Sequence, residues 1–171
     1  MTNKLTVLFK MMILTMLDMV DFELSAAQMG EFMVGNDYMS FFRFQSLLYE
    51  MEQDELISCK REHHNSFYSL NENGRHTLEY FRDKLPEEMR AEIADYVRDK
   101  RWEMRETTSV RTDYTLNDNR EYAVRLQVLE NNLPQIDLTL TVPDEETANI
   151  LCEKWRERNE DIYAYLMREL L

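Results

Sequence analysis

Apolar residues at Leu5, Leu8, Phe9, Met12, Ile13, Met16, Leu17 and Val20 recur at steps of three and four, which predicts a core-facing helix over residues 3–20. Ser25 with Gln28 three positions on has the form of a capping box, so a short helix begins there. It turns Ala26, Met29 and Met33 inward and ends where Gly35-Asn36 takes the left-handed conformation. A third helix is expected from Phe41 to about Asp54, capped by Ser40, with Phe41, Phe44, Leu48 and Met51 facing the core. Two strand-like runs follow, Leu56 to Arg61 and Ser66 to Leu70, on either side of the polar stretch Glu62-His63-His64-Asn65. Asn71 then caps a helix that carries Leu78, Phe81 and Leu85 inward.

The second half changes period. Pro86 opens a helix to about Glu106, with Met89, Ile93, Val97 and Met104 near one stripe. Strict alternation then marks Val110–Leu116, Tyr122–Val128 and Ile136–Val142 as strands of an antiparallel meander. Its wet face is expected to carry Arg111, Asp113, Arg125, Gln127, Asp137 and Thr139. Asn117-Asp118-Asn119 and Asn131-Asn132-Leu133-Pro134 supply the turns, and Pro143 to Leu170 reads as one long helix.

Composition narrows the class. Only three Gly and three Pro in 171 residues argue against a Gly-lined phosphate loop, and 44% hydrophobic residues argue against disorder. Cys59 and Cys152 stand far apart without partners at ligand spacing, so neither a disulfide framework nor a metal site is indicated, and a reducing cytoplasm is the expected location. The run Met11 to Leu17 is too short to span a membrane, and Asp18, Asp21 and Glu23 interrupt a signal-like reading.

Helix, helix, helix, hairpin, helix is the order of a winged helix-turn-helix. The fold class is therefore expected to be α+β: a winged helix-turn-helix domain over residues 1–85, then an α+β domain over 86–171 with helix, three-stranded meander and long helix. The segment with "DELISC" and "FYSLNENGRHTL" resembles the wing and following helix of PadR-like winged-helix regulators. More closely, residues 4–85 with the tail resemble a bacterial winged-helix family catalogued only as a domain of unknown function. Asn71 stands where that pattern usually has Thr, a change that preserves capping.

A net charge of −13 repels phosphate, so any nucleic-acid contact needs a local cationic patch. Leu56 to Lys84 holds five Lys/Arg against four Asp/Glu and all three histidines. The resulting expectation is a cytoplasmic, dimeric DNA-binding transcriptional regulator. Arg43, Gln45, Ser46 and Tyr49 of the third helix would meet double-stranded DNA in the major groove, and Lys60, Arg61, His63, His64 and Arg75 would grip the backbone. The rival is a winged-helix protein-interaction module with little or no DNA affinity, favoured by the acidic rear of the third helix. Trp155, Tyr163 and Tyr165 are the expected dimer contacts, with core packing as the alternative for Trp155. The tail either dimerises or senses a small-molecule or protein effector in a pocket lined by Trp102, Tyr114 and Tyr122. No nucleophile elbow, Walker loop or zinc-protease motif occurs, so neither catalysis nor a cofactor is expected.

Overall fold

The steps of three and four at the amino end are realised as α1 (Thr2–Asp18), which buries Met11, Met12, Ile13, Leu14, Met16 and Leu17. Thr15 is also buried there, its hydroxyl donating to the Met11 carbonyl at 2.7 Å. The computed structural model describes residues 2–62 and 65–171. Among those residues it is a mixed α+β chain with six α-helices and two three-stranded antiparallel sheets.

Contacts divide these residues into two compact units. The first comprises residues through Arg61 together with Asn65–Met104; the second comprises Glu62 and Arg105–Leu171. After α1 the first unit continues through β1 (Leu24–Ser25), α2 (Ala26–Met33), α3 (Phe41–Gln53), β2 (Ile57–Arg61), β3 (Ser66–Leu70) and α4 (Glu72–Tyr80). A 3-10 turn (Arg82–Lys84) then leads to α5 (Glu87–Ser109), whose Ile93, Val97 and Met104 lie in the same core. The expected boundary after Leu85 thus falls inside this unit. The two-residue β1 has too little pattern to be read in advance; it pairs with β3, Leu24 opposite Tyr68, so the sheet runs β1-β3-β2.

The local signals act as their chemistry requires. Ser25 and Gln28 close both halves of the capping box, and the Ser40 and Asn71 side chains accept from the amides of Arg43 and Gly74. The end of α2 differs from expectation. Gly35 and Asn36 are not left-handed; Asp37 is, with φ 58°. Gly35 is instead needed for close approach, because a Cβ there would sit 2.2 Å from the Glu31 carbonyl oxygen.

Gly74 is tighter still. A Cβ at this position would lie 1.9 Å from the Leu56 carbonyl oxygen and 2.8 Å from Leu70 Cδ1. Gly→Ala inside an exposed helix ordinarily stabilises by roughly 0.5–1 kcal/mol. Here the expected sign is reversed: Gly74→Ala should destabilise by about 1–3 kcal/mol through overpacking, read as a lower urea midpoint at unchanged slope.

Phe32 packs between Tyr38 and Tyr96, with ring centroids 5.7 and 5.0 Å away. The Tyr38 hydroxyl bonds the Glu92 carboxylate, and that bond together with burial pushes its pKa from 10.0 up to about 12. Burial, then the negative charge of Glu31, raises Tyr96 as well. Because the fold favours the protonated phenols, their contribution is intact below pH 10 and is lost as pH climbs through 12. Urea midpoints of the first unit should stay flat up to about pH 10 and fall beyond it, with a shallower fall in Tyr38→Phe. An equal fall in that variant would rule Tyr38 out.

In the second unit β4 (Val110–Leu116), β5 (Tyr122–Glu130) and β6 (Leu133–Val142) form the meander, in the order β4-β5-β6. Asn131 and Asn132 are both left-handed (φ 52° and 62°), which makes the β5–β6 connection a two-residue hairpin. Leu133 and Pro134, expected in that turn, are therefore strand residues. Pro134 is accommodated because β6 is an edge strand. The alternating face packs under α6 (Glu145–Leu170), with a core of Tyr114, Val124, Leu126, Ala148, Cys152 and Trp155. Asp144 caps α6 by accepting from the Thr147 amide at 2.7 Å.

The opposite face is not uniformly wet. Arg111 and Gln127 are buried, contrary to the expectation from alternation. Arg111 donates from Nε to the Thr108 carbonyl at 3.1 Å and from Nη1 to Glu62 Oε1 at 3.3 Å, an ion pair whose side chains are 2% and 9% exposed. Gln127 donates to Asp137, which Arg125 also holds at 2.9 Å; the guanidinium bond keeps that carboxyl below its ordinary pKa.

Candidate functional site

Four apolar side chains pin α3 to the core, Phe44, Leu47, Leu48 and Met51, all essentially inaccessible. With that stripe fixed, helical geometry turns the remaining positions outward. Phe41 was expected inside but is 64% exposed, and Leu47 takes its place in the core. Phe42 beside it is 82% exposed and Tyr49, about two turns on, is 61% exposed. The core stripe of α3 runs through Phe44, Leu47, Leu48 and Met51, and both Phe residues at its start fall off it.

The cations expected to meet phosphate are already engaged within the first unit. Arg43 donates from Nη2 to Thr6 Oγ1 at 2.9 Å and from Nη1 to Glu50 at 3.3 Å. Arg61 forms a two-bond fork on Glu52, one arm at 2.9 Å, which raises the guanidinium pKa further. Arg75 is bound to Asp18 at 2.9 Å, and Lys10 to Asp54 at 2.6 Å. Ser46 returns its hydroxyl to the Phe42 carbonyl at 3.1 Å, Gln45 is half-buried and Lys60 is exposed. His63 and His64 lie outside the described residues.

Exposed ion pairs are worth only about 0–1 kcal/mol, so a phosphate could displace any one carboxylate from its arginine. Displacement does not remove the acid, however. Glu50, Glu52 and Asp54 stay on the same helix end, with Glu55 next to them, and each sets a like charge against an approaching backbone. What α3 offers freely is aromatic surface with an acidic rear.

The other expected sites separate in a similar way. Trp155 is 2% exposed and donates from Nε1 to the Gln127 carbonyl at 3.1 Å, so it is a core residue of the second unit and not a dimer contact. Tyr163 and Tyr165 are 38% and 54% exposed, and Arg168 lies over the Tyr165 ring at 5.3 Å. Trp102, in the first unit, is 79% exposed. Tyr114 and Tyr122 pack edge to face at 5.8 Å, and the Tyr114 hydroxyl donates to Glu145 at 3.0 Å. Among the described residues no helix is long and apolar enough to cross a membrane, and no three His, Cys, Asp or Glu side chains are grouped to hold a metal ion.

The family model described as "Domain of unknown function (DUF4364)" matches residues 9–170, and the chain belongs to that family. No curated protein and no solved structure matches it.

Proposed function

We propose that this DUF4364 member carries an N-terminal winged helix-turn-helix whose third helix docks on a protein. The partner surface we infer is apolar and flanked by Lys or Arg. The observation that carries the reading is a contrast within the first unit: Phe41, Phe42 and Tyr49 of α3 stand exposed, while Arg43 of α3, Arg61 of β2 and Arg75 of α4 are bound to the unit's own carboxylates. Contiguous exposed aromatics mark interaction sites, and the acids at the rear of α3 select a cationic rim on the partner.

The second reading is a PadR-like, DNA-binding transcriptional regulator. It is favoured by the element order and by Gln45, Ser46 and Lys60, whose polar groups lie toward the helix front and the hairpin. In either reading the chain pairs through the last turns of α6. At ~1.5 Å per residue this helix is on the order of 40 Å long, and no residue beyond Asn159 is fully buried. An antiparallel pair would set Arg168 of one copy beside Glu160 and Asp161 of the other.

Amide and aromatic NMR titrations discriminate between the two. Peptides with Leu and Phe between lysines should shift α3 resonances saturably, glutamate-flanked versions should not, and Phe42→Ser with Tyr49→Ser should abolish the effect while changing stability by less than about 0.5 kcal/mol. A mixed-sequence duplex that shifts α3 and β2 instead, with affinity falling steeply as salt rises, would replace the docking reading by the DNA reading.

A further inference from the structure

In the first unit, α1, α4, the 3-10 turn and α5 surround an open cavity of about 310 Å³. Its floor is aliphatic, made by Met11, Met19, Leu78 and Leu85, of which Met11 and Leu85 are 1% and 3% exposed. Flexible thioethers and leucines form a surface that adapts to an aliphatic chain. At ~30 Å³ per water the space holds on the order of ten waters, the scale of a metabolite and not of a macromolecule.

The rim is charged. Asp18 and Arg75 neutralise each other at 2.9 Å, and Arg90 is held by Glu87 at 3.4 Å and by the Arg82 carbonyl at 2.9 Å. Two lining groups remain: the Glu79 carboxylate and the Arg82 guanidinium make no hydrogen bond or ion pair with any described residue. They are three positions apart, a spacing at which opposite charges commonly pair, yet they do not pair here. One acid and one base, neither engaged by a described residue, thus line the same cavity as the aliphatic side chains.

We propose that this cavity binds a small zwitterion with an aliphatic side chain, an α-amino acid of the leucine or methionine type, its carboxylate on Arg82, its ammonium on Glu79 and its side chain against Met11, Met19, Leu78 and Leu85. A monoanion would leave Glu79 facing it, and a monocation would leave Arg82 facing it. Only a ligand carrying both charges meets both groups. The inference is independent of what α3 docks on, since no residue of α3 lines the cavity.

The test is a calorimetric and NMR titration of the whole chain with L-leucine and L-methionine, with 4-methylpentanoate and isopentylamine as analogues lacking one charge. The amino acids should bind saturably and shift Leu78 and Leu85 methyl resonances, and each analogue should bind at least about tenfold more weakly. Glu79→Gln and Arg82→Gln should each lose about tenfold or more, without a change in Tm because both side chains are exposed. No saturation by ~10 mM, a weaker level than almost any functional pocket shows, would overturn the proposal, as would an analogue that binds as well as leucine. Should a variant fail to fold, the analogue series on the unaltered chain still decides.

Discussion

Replacing Arg111 with alanine is expected to cost the second unit about 3–5 kcal/mol, the range for removing one partner of a buried ion pair. The guanidinium is 2% exposed, and its loss takes a buried cation from the Glu62 carboxylate, itself 9% exposed. The Thr108 carbonyl loses a donor in the same substitution. A buried pair is not in itself stabilising, because desolvation offsets much of its attraction. The double variant Arg111→Met with Glu62→Leu should therefore recover more than half of the loss. Urea denaturation followed by Trp155 fluorescence measures both quantities. A loss below about 1 kcal/mol in the single variant, the level of a solvated pair, would show that water reaches the pair.

Trp155→Ala is expected to cost about 3–5 kcal/mol, as for other buried Trp-to-Ala changes. The ring fills the space between α6 and the sheet, and its Nε1 bond satisfies the Gln127 carbonyl. Trp155→Phe keeps much of the volume and loses the donor, so a smaller penalty of about 1–3 kcal/mol is expected. The same variants separate folding from association. Trp155→Phe should leave the mass in solution unchanged at micromolar concentration, whereas Tyr163→Ser with Tyr165→Ser should lower it to that of one chain and barely alter stability. Light scattering that finds a single-chain mass for the unaltered protein would remove the dimer.

What could be read in advance followed from short-range chemistry. Ser25 with Gln28, Ser40 and Asn71 cap helices because a side-chain oxygen lies within reach of amides two or three residues on, whatever the rest of the chain does. The alternation from Val110 to Val142 and the three-four stripe of α1 survive for the same reason: each records a face, and the face must be covered. The errors arose where a face was known but its cover was not. Phe41 continued the apolar stripe of α3 by spacing, yet Leu47 occupies the core. Arg111 belonged by alternation to the polar face, yet that end of the sheet is closed and the arginine finds a carboxylate 49 positions earlier in the chain.

The candidate interface shows the same division more sharply. Counting charges from Leu56 to Lys84 found a cationic stretch, and the count is correct. Two of those cations, Arg61 and Arg75, are paired with Glu52 and Asp18, outside the counted stretch, so the folded surface does not inherit its full charge. Neutralisation depends on distances of about 3 Å between residues 9 and 57 positions apart, and the counted window contains neither carboxylate.

The amino-acid order by itself determined the helices, their caps, the meander and the alternation of apolar faces, because hydrogen-bonding reach and side-chain periodicity operate over a few residues. Tertiary structure alone decided which aromatic was core and which was surface, which arginines were already satisfied, and where a cavity kept one acid and one base unpaired. Those outcomes depend on which faces meet, and burial and charge pairing are properties of the meeting rather than of either segment.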